Sequence, residues 1–402
     1  MKTAITVIIL GGTFLLWWMD VGYKHLSVAR SLGTETYERD ATLESLDIAT
    51  TTTTSTTTKK RVVTHIKTPT HVKAIYMSSW VAGTPTFREK LVKMIDEKEL
   101  NAVVIDIKDN TGLITWVDRV KDMNDFLDEL HSKNIYVIGR IAVFQDPDYV
   151  KLHPEQAVHS KKTGGIWKDY KGVPWVDTGS KDMWKYIEKL SKESYARGFD
   201  EINLDYIRFP TDGVLSDMTF PISGERAVND KAGIVSDFYH YITDALRNEG
   251  IPVSADIFGI VMVTKVDIPT LGQDMHTALE TFDFVSPMVY PSHFYAGTDG
   301  YQNPAEHPSE IITFAMSYGV KIADEVASST GKATSTIRAK YRPFYQDFDL
   351  GAVYDAEKVR AQIDAGYKLG ITSWMLWDPG NIYTPSALMD ETSTGTNDAS
   401  SQ

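Results

Sequence analysis

The sequence contains no cysteine, which excludes disulfides, thiol nucleophiles and cysteine-held zinc together. It also lacks a basic excess. The 41 Lys and Arg stand against 54 Asp and Glu, a formal net charge of −13, so phosphate-rich nucleic acid is not expected as a partner. The short basic run Lys59 to Arg61 is too small to reverse that balance. No glycine-rich phosphate loop follows any strand-like run, and no Gly-x-Ser-x-Gly elbow is present. The ten histidines form no His-x-His or His-Glu-x-x-His pair, and His153 and His159 lie at a spacing that predicts no metal site. No cofactor or metal is therefore expected.

The two ends carry little that folds. An apolar run from Ala4 to Trp18 sits behind Lys2, and charge returns at Asp20 and Lys24. It is short for a spanning helix of ~20 residues but fits the core of a signal segment. No small-x-small cleavage site follows Trp17-Trp18-Met19-Asp20, so residues 1–20 are expected to be an uncleaved signal anchor. The Thr/Ser tract Thr50 to Thr58 has no apolar face to bury, and residues 21–61 are expected to form a disordered, Thr-rich stalk. Residues 391–402 are expected to be a disordered tail. This leaves 62–390 as the folded domain, expected at the cell surface and tethered to the membrane through the N-terminal segment.

Within that domain, short apolar runs alternate with amphipathic stretches. Strands are expected over Ala74–Ser78, Ala102–Ile107, Ile135–Val143, Glu201–Ile207, Pro252–Phe258, Phe284–Tyr290, Arg342–Phe348 and Thr372–Trp377. Helical spacing of apolar residues appears between them, as in "FREKLVKMIDEKEL", "MNDFLDELHSKN" and "DMWKYIEKLSKESYARG". Eight such units predict an α/β fold, a single-domain (β/α)8 TIM barrel. Too few residues follow the eighth strand for a full helix, so the eighth helix is expected to be short, absent or replaced by the segment near Val62.

In such a barrel the chemistry gathers at the carboxyl ends of the strands. Polar residues recur there: Asp106, Lys108 and Asp109 after strand two, Arg140 in strand three, and Asp205 and Arg208 after strand four. Asp256, Tyr290, Gln346, Trp377 and Asp378 follow in the later strands. A buried ion pair is the competing explanation for Asp106 with Arg140 and for Asp205 with Arg208. For Tyr290, Trp377, Trp167 and Trp175, packing competes with sugar stacking. The joint placement favours a site. Two carboxyls facing one cleft can divide acid and base or nucleophile roles, and glycoside cleavage is the reaction that needs such a pair. Asp205 is the expected nucleophile or general base and Asp256 the expected acid, with Asp378 and Asp106 in reserve. Asp106, Lys108, Arg140, Arg208, Tyr290, Gln346, Trp377 and Asp378 are the expected substrate-binding residues.

The segments "AIYMSSWVAG", "VVIDIKDNTG", "HPEQAV", "WVDTGSKDMWKYI", "GFDEINLDYIRFPTDG", "VSADIFG" and "VSPMVYPSHF" resemble the glycoside hydrolase-like family catalogued as DUF4015. The resemblance spans about Lys73 to Pro379, and its most specific part is the block Glu201 to Pro210. It implies a glycosidase-type barrel with hydrolytic activity. "FDEINLDYI" is also distantly similar to the strand-four signature of chitinase-like family eighteen hydrolases. There, the catalytic acid would fall at Ile207, and Asn203 replaces an inner aspartate. An enzyme built this way must draw its carboxyls from different strands. The expected function is thus cleavage of an extracellular or cell-envelope polysaccharide, the alternative being a non-catalytic glycan-binding barrel.

Overall fold

The computed structural model describes residues 61–391. The expected anchor, all of the stalk except Arg61 and all of the tail except Glu391 lie outside the described residues. No helix among the described residues is long and apolar enough to cross a membrane.

All eight expected strands form: β1 (Lys73–Met77), β2 (Ala102–Lys108), β3 (Tyr136–Ala142), β4 (Glu201–Asp205), β5 (Val253–Phe258), β6 (Phe284–Met288), β7 (Phe344–Gln346) and β8 (Trp374–Trp377). They run parallel and close into a barrel in the order β1-β8-β7-β6-β5-β4-β3-β2. Each strand is buried on both faces, as parallel strands under a shell of helices must be. Side chains therefore divide by parity. In β4, Ile202 and Leu204 join the large core between barrel and helices, whereas Glu201, Asn203 and Asp205 make up the opposite, inward-facing row. Val103, Ile105 and Ile107 of β2 likewise face out, and Ala102 and Val104 belong to the smaller core inside the barrel.

The main crossover helices are α1 (Pro85–Glu97), α2 (Met123–Ser132), α3 (Lys181–Arg197), α4 (Lys231–Arg247), α5 (Met275–Thr281), α6 (Pro308–Thr330) and α7 (Ala356–Lys368). Their starts follow ordinary capping chemistry. Ser180, Asp230, Asp274 and Asp355 each accept a hydrogen bond from a backbone N–H of the first turn. At Gly139 in β3, an added Cβ would come within 2.2 Å of Ile107 Cδ1 and 2.8 Å of Phe199 Cδ1. Only glycine lets the shell pack this close.

A 3₁₀ turn, Pro385–Ala387, stands where an eighth helix would follow β8. The segment before β1 does not replace that helix. It runs along α2 and α3, with Arg61 bonded to Asp128 and to the Arg197 carbonyl. It then crosses the amino-terminal end of the barrel, where the Ile66 N–H donates to Asp200 and Thr68 pairs with the Tyr136 hydroxyl.

The barrel floor holds a buried ion pair. Arg342 Nη1 lies 2.7 and 3.0 Å from the two oxygens of Glu201, which also accept from Tyr136 and Ser254. One carboxylate meets one guanidinium, and the strap closes the floor beneath them.

Candidate active site

Two residues further along the same inward row of β4 stands Asp205, at the carboxyl-terminal rim. Its Oδ2 is 2.5 Å from Arg140 Nη2, and its Oδ1 accepts from the Tyr206 N–H at 2.6 Å. Arg140, from β3, reaches Asp106 of β2 with its other terminal nitrogen at 2.7 Å. Its Nε lies 3.8 Å from Asp256 of β5. One guanidinium thus faces three carboxyls contributed by three strands. The Tyr76 hydroxyl donates to the second oxygen of Asp106 at 2.6 Å, and the Tyr76 ring stacks on Trp377 with centroids 4.0 Å apart. Trp377 in turn lies 5.1 Å from the guanidinium carbon.

Asp256 is the most secluded of these acids, at 1% exposure. Asn203 Nδ2 donates to its Oδ1 at 2.8 Å and to Ser254. Burial pushes the Asp256 carboxyl well above the usual carboxylate range, and the neighbouring charge of Asp205 adds to the rise; Arg140 and Asn203 oppose it. Burial raises Asp106 as well, with Arg140 opposing. Tyr290 is held protonated mainly by burial and then by the charges of Asp256 and Asp205, which places its hydroxyl in the same field. Asp256 is thus a buried carboxyl with raised proton affinity, the kind of group that general-acid chemistry needs.

The chain leaves the barrel abruptly after Asp205. Strand β4 ends there, two residues earlier than the alternation predicts, because Tyr206 takes φ 55°. This left-handed conformation is costly for a bulky residue and is held only where its surroundings impose it. One consequence is that Ile207 is fully buried in the outer core rather than continuing the inward row. A second is that Arg208 faces away from Asp205. Its Nη1 donates to the Phe209 carbonyl and to Thr211, its Nη2 lies 3.8 Å from Asp212, and its guanidinium sits near the rings of Trp175 and Phe258. The Asp205–Arg208 pair suggested by the sequence does not form.

Two more of the expected substrate contacts are taken up by the protein itself. Lys108 is fully buried and pairs with Asp146 at 2.8 Å, across a register irregularity in β2. Gln346 Oε1 accepts from the Ser292 N–H and its Nε2 donates to the Phe348 carbonyl, so its amide ties two rim loops together. Trp167 and Trp175 are packed in the core. Asp378 stays at the rim, where its Oδ1 accepts from the Gly380 N–H at 2.5 Å. Beside it Asp347 accepts from the Thr384 N–H and hydroxyl, and burial, aided by the charge of Asp378, raises its carboxyl to about 7.

Tyr76, Asn203 and Asp347 are site residues that reading the strands one by one does not single out. For Tyr76 and Asn203 the available signal was parity, since each shares the inward row of a strand with small or polar neighbours. A cleft of about 480 Å³ lined by Arg247, Glu280, Asp283, Phe284, Lys332 and Lys340 opens at the amino-terminal end of β6. That end of the barrel is remote from the carboxyl-terminal rim.

Residues 74–383 match the DUF4015 family model, described as "Putative glycosyl hydrolase domain". No curated protein matches the chain. Among solved structures, a hypothetical protein from Ruminiclostridium thermocellum is 33% identical over 45% of this chain and 96% of its own, with a TM-score of 0.39. The glycoside hydrolase domain of PgaB (BpsB) from Bordetella bronchiseptica is 14% identical over 78% of this chain and 95% of its own, with a TM-score of 0.53. Catalytic domain 2 of the Group II chitinase from Ostrinia furnacalis is 11% identical over 79% and 95%, with a TM-score of 0.47. The PgaB likeness supports a shared barrel and nothing finer. The family match covers most of the chain and nearly all of its folded part, and the protein belongs to the DUF4015 family of glycosyl hydrolase domains.

Proposed function

We propose that this protein cleaves the glycosidic bonds of an extracellular or cell-envelope polysaccharide, with Asp256 as the general acid and Asp205 as the nucleophile or general base. The observation that carries this reading is the pair itself. A buried carboxyl with raised proton affinity stands on the strand next to a carboxyl held by Arg140 and a backbone N–H. In the reaction, Asp256 gives its proton to the leaving oxygen while Asp205 attacks the anomeric carbon or activates water against it. Tyr290, Trp377 and Asp378 border the sugar, and the exposed rings of Trp80, Tyr170 and Tyr295 on the rim loops offer stacking faces beyond it. The apolar run Ala4 to Trp18 and the Thr/Ser tract after it support a membrane-tethered domain outside the cell.

Ile207, buried where a chitinase-like acid would stand, favours a second reading, a barrel that binds glycan without cleaving it. Hydrolysis of a polysaccharide panel by the full chain, beside its Asp205→Asn and Asp256→Asn variants, separates the two. The enzyme reading requires product, lost at least ~100-fold in both variants. Binding without product, unchanged by either substitution, leaves the binding barrel.

A further inference from the structure

A run of hydrogen bonds joins the floor of the barrel to Asp256, and its direction is dictated from below. Arg342 can only donate, and it meets the Glu201 carboxylate at 2.7 and 3.0 Å. The Ser254 hydroxyl gives its one hydrogen to Glu201 Oε1, at 2.6 Å, and its oxygen is left to accept. Asn203 pairs with Ser254 in register, on the inward rows of β4 and β5. The oxygen and nitrogen of an amide fill nearly the same space, so its partners decide which way it turns. Ser254 Oγ takes one hydrogen from Asn203 Nδ2 at 3.1 Å, and the second falls on Asp256 Oδ1 at 2.8 Å. Glu201, Asn203, Ser254 and Asp256 are each at most 1% exposed, so bulk solvent does not compete for these groups.

The amide oxygen bears out this order. Asn203 Oδ1 is buried without a hydrogen-bond partner, against the general rule that buried acceptors are satisfied. An amide free to choose would turn that oxygen toward a donor such as the acid proton of Asp256, and Ser254 holds it the other way. Leucine would fill the same place with nothing unsatisfied, so folding alone does not explain the residue.

We infer that Glu201, Ser254 and Asn203 are positioning residues for Asp256: they hold an N–H on its Oδ1, which leaves Oδ2 as the oxygen that carries the transferable proton. A carboxyl able to place its proton on either oxygen would be correctly oriented only part of the time. With a donor on Oδ1, that oxygen is the carbonyl of the acid. After the proton leaves, the same N–H remains on the carboxylate, beside Arg140, whose Nε is 3.8 Å from Oδ2. This inference rests on the reading of Asp256 as the general acid and adds what orients it.

The test reads the proton on Asp256 directly, by infrared spectroscopy of the full chain near neutral pH. A protonated carboxyl has a C=O stretch that carboxylates and amides lack, and the band missing from Asp256→Asn belongs to Asp256. A C=O that loses a donor stiffens, so Asn203→Leu and Ser254→Ala should each move that band to higher frequency, the second because the released amide turns its oxygen to the acid. Ser286→Ala is the control. Ser286 lies beside Asp256 in register on β6, is fully buried and has a hydroxyl without a partner, so its loss should leave the band in place. Where a glycan is cleaved, Ser254→Ala should also lower kcat about tenfold with KM nearly kept. Ser254→Ala removes one oxygen atom and carries the test if Asn203→Leu does not fold. Absence of the band from the parent overturns the inference, and so does a band unmoved in Ser254→Ala. An equal shift in Ser286→Ala reports general repacking and overturns it too, as does an unchanged kcat in Ser254→Ala where the parent cleaves. A moved band in a chain that cleaves no glycan would sink the hydrolase reading and keep the positioning of the proton. Cleavage with an unmoved band would do the reverse.

Discussion

Replacing Arg140 by methionine keeps most of the stem's volume and removes the charge that holds the rim together. Its two close pairs measure 2.7 Å to Asp106 and 2.5 Å to Asp205, with Asp256 at 3.8 Å. Unit charges ~4 Å apart attract by about 4 kcal/mol at an effective dielectric near 20. Desolvation of the guanidinium offsets part of this, but loss of one partner leaves the carboxyls buried and unpaired, which costs about 3–5 kcal/mol. The variant can lower that cost by protonating them. Their proton affinity then rises in the folded state above its unfolded value, so the stability recovered by protonation is present at low pH and lost as pH rises. Arg140→Met should therefore be about 3–5 kcal/mol less stable than the parent at pH 7 and within ~1–2 kcal/mol of it near pH 4. Urea unfolding followed by circular dichroism at several pH values measures the gap. Adding Asp106→Asn should restore part of the loss at pH 7. A deficit of the same size at every pH would mean that Arg140 acts through packing, and the charge argument would fail.

Asp347, raised by burial to about 7, favours the folded state fully below its unfolded value of 3.8 and loses that contribution as pH rises through about 7. Asp347→Asn cannot titrate, so its melting temperature should gain on the parent's from pH 5 to pH 8, by the equivalent of at most about 3 kcal/mol; parallel curves would remove Asp347 from the pH response. At the floor, Glu201→Gln leaves Arg342 buried without its counter-charge and should cost about 3–5 kcal/mol in urea unfolding, a loss below ~1 kcal/mol contradicting the pairing. Ile207→Glu buries an unpaired carboxyl in the outer core, at a cost of several kcal/mol, and should not rescue hydrolysis in an Asp256→Asn background; regained product would show that position 207 reaches the substrate.

The strands were legible because each is an apolar run bounded by turns, and burial on both faces makes such runs stand out. The polar ends of those strands were legible too, since charge in an otherwise apolar strand has few places to go. What could not be read was direction. Asp106 and Lys108 are two residues apart and look equivalent, yet a register irregularity separates them, and Asp146, 38 positions further on in the loop after β3, claims the lysine. Asp205 and Arg208 look like partners, but the positive φ at Tyr206 ends the alternation between them. No local pattern announces a left-handed tyrosine. The acceptors that neutralise Lys108 and Arg208 lie in loops whose course depends on the whole rim.

An Asp and an Arg inside an apolar sheet are explained by neither burial nor pairing alone, because this barrel buries paired charges at both ends. The floor cluster balances one carboxylate with one guanidinium, satisfies the acid from Tyr136 and Ser254 as well, and is closed off by the segment before β1. That arrangement needs no ligand. At the rim, one guanidinium is shared among three carboxyls from three strands, a fourth and a fifth stand nearby, and the chain pays for a strained residue to end β4 at Asp205. Folding alone would favour removing such an imbalance, and a neutral residue at Asp205 would do so at little cost in volume. Unbalanced charge at the mouth of the barrel, above a balanced pair at its base, is therefore what separates a site from a structural ion pair in this chain.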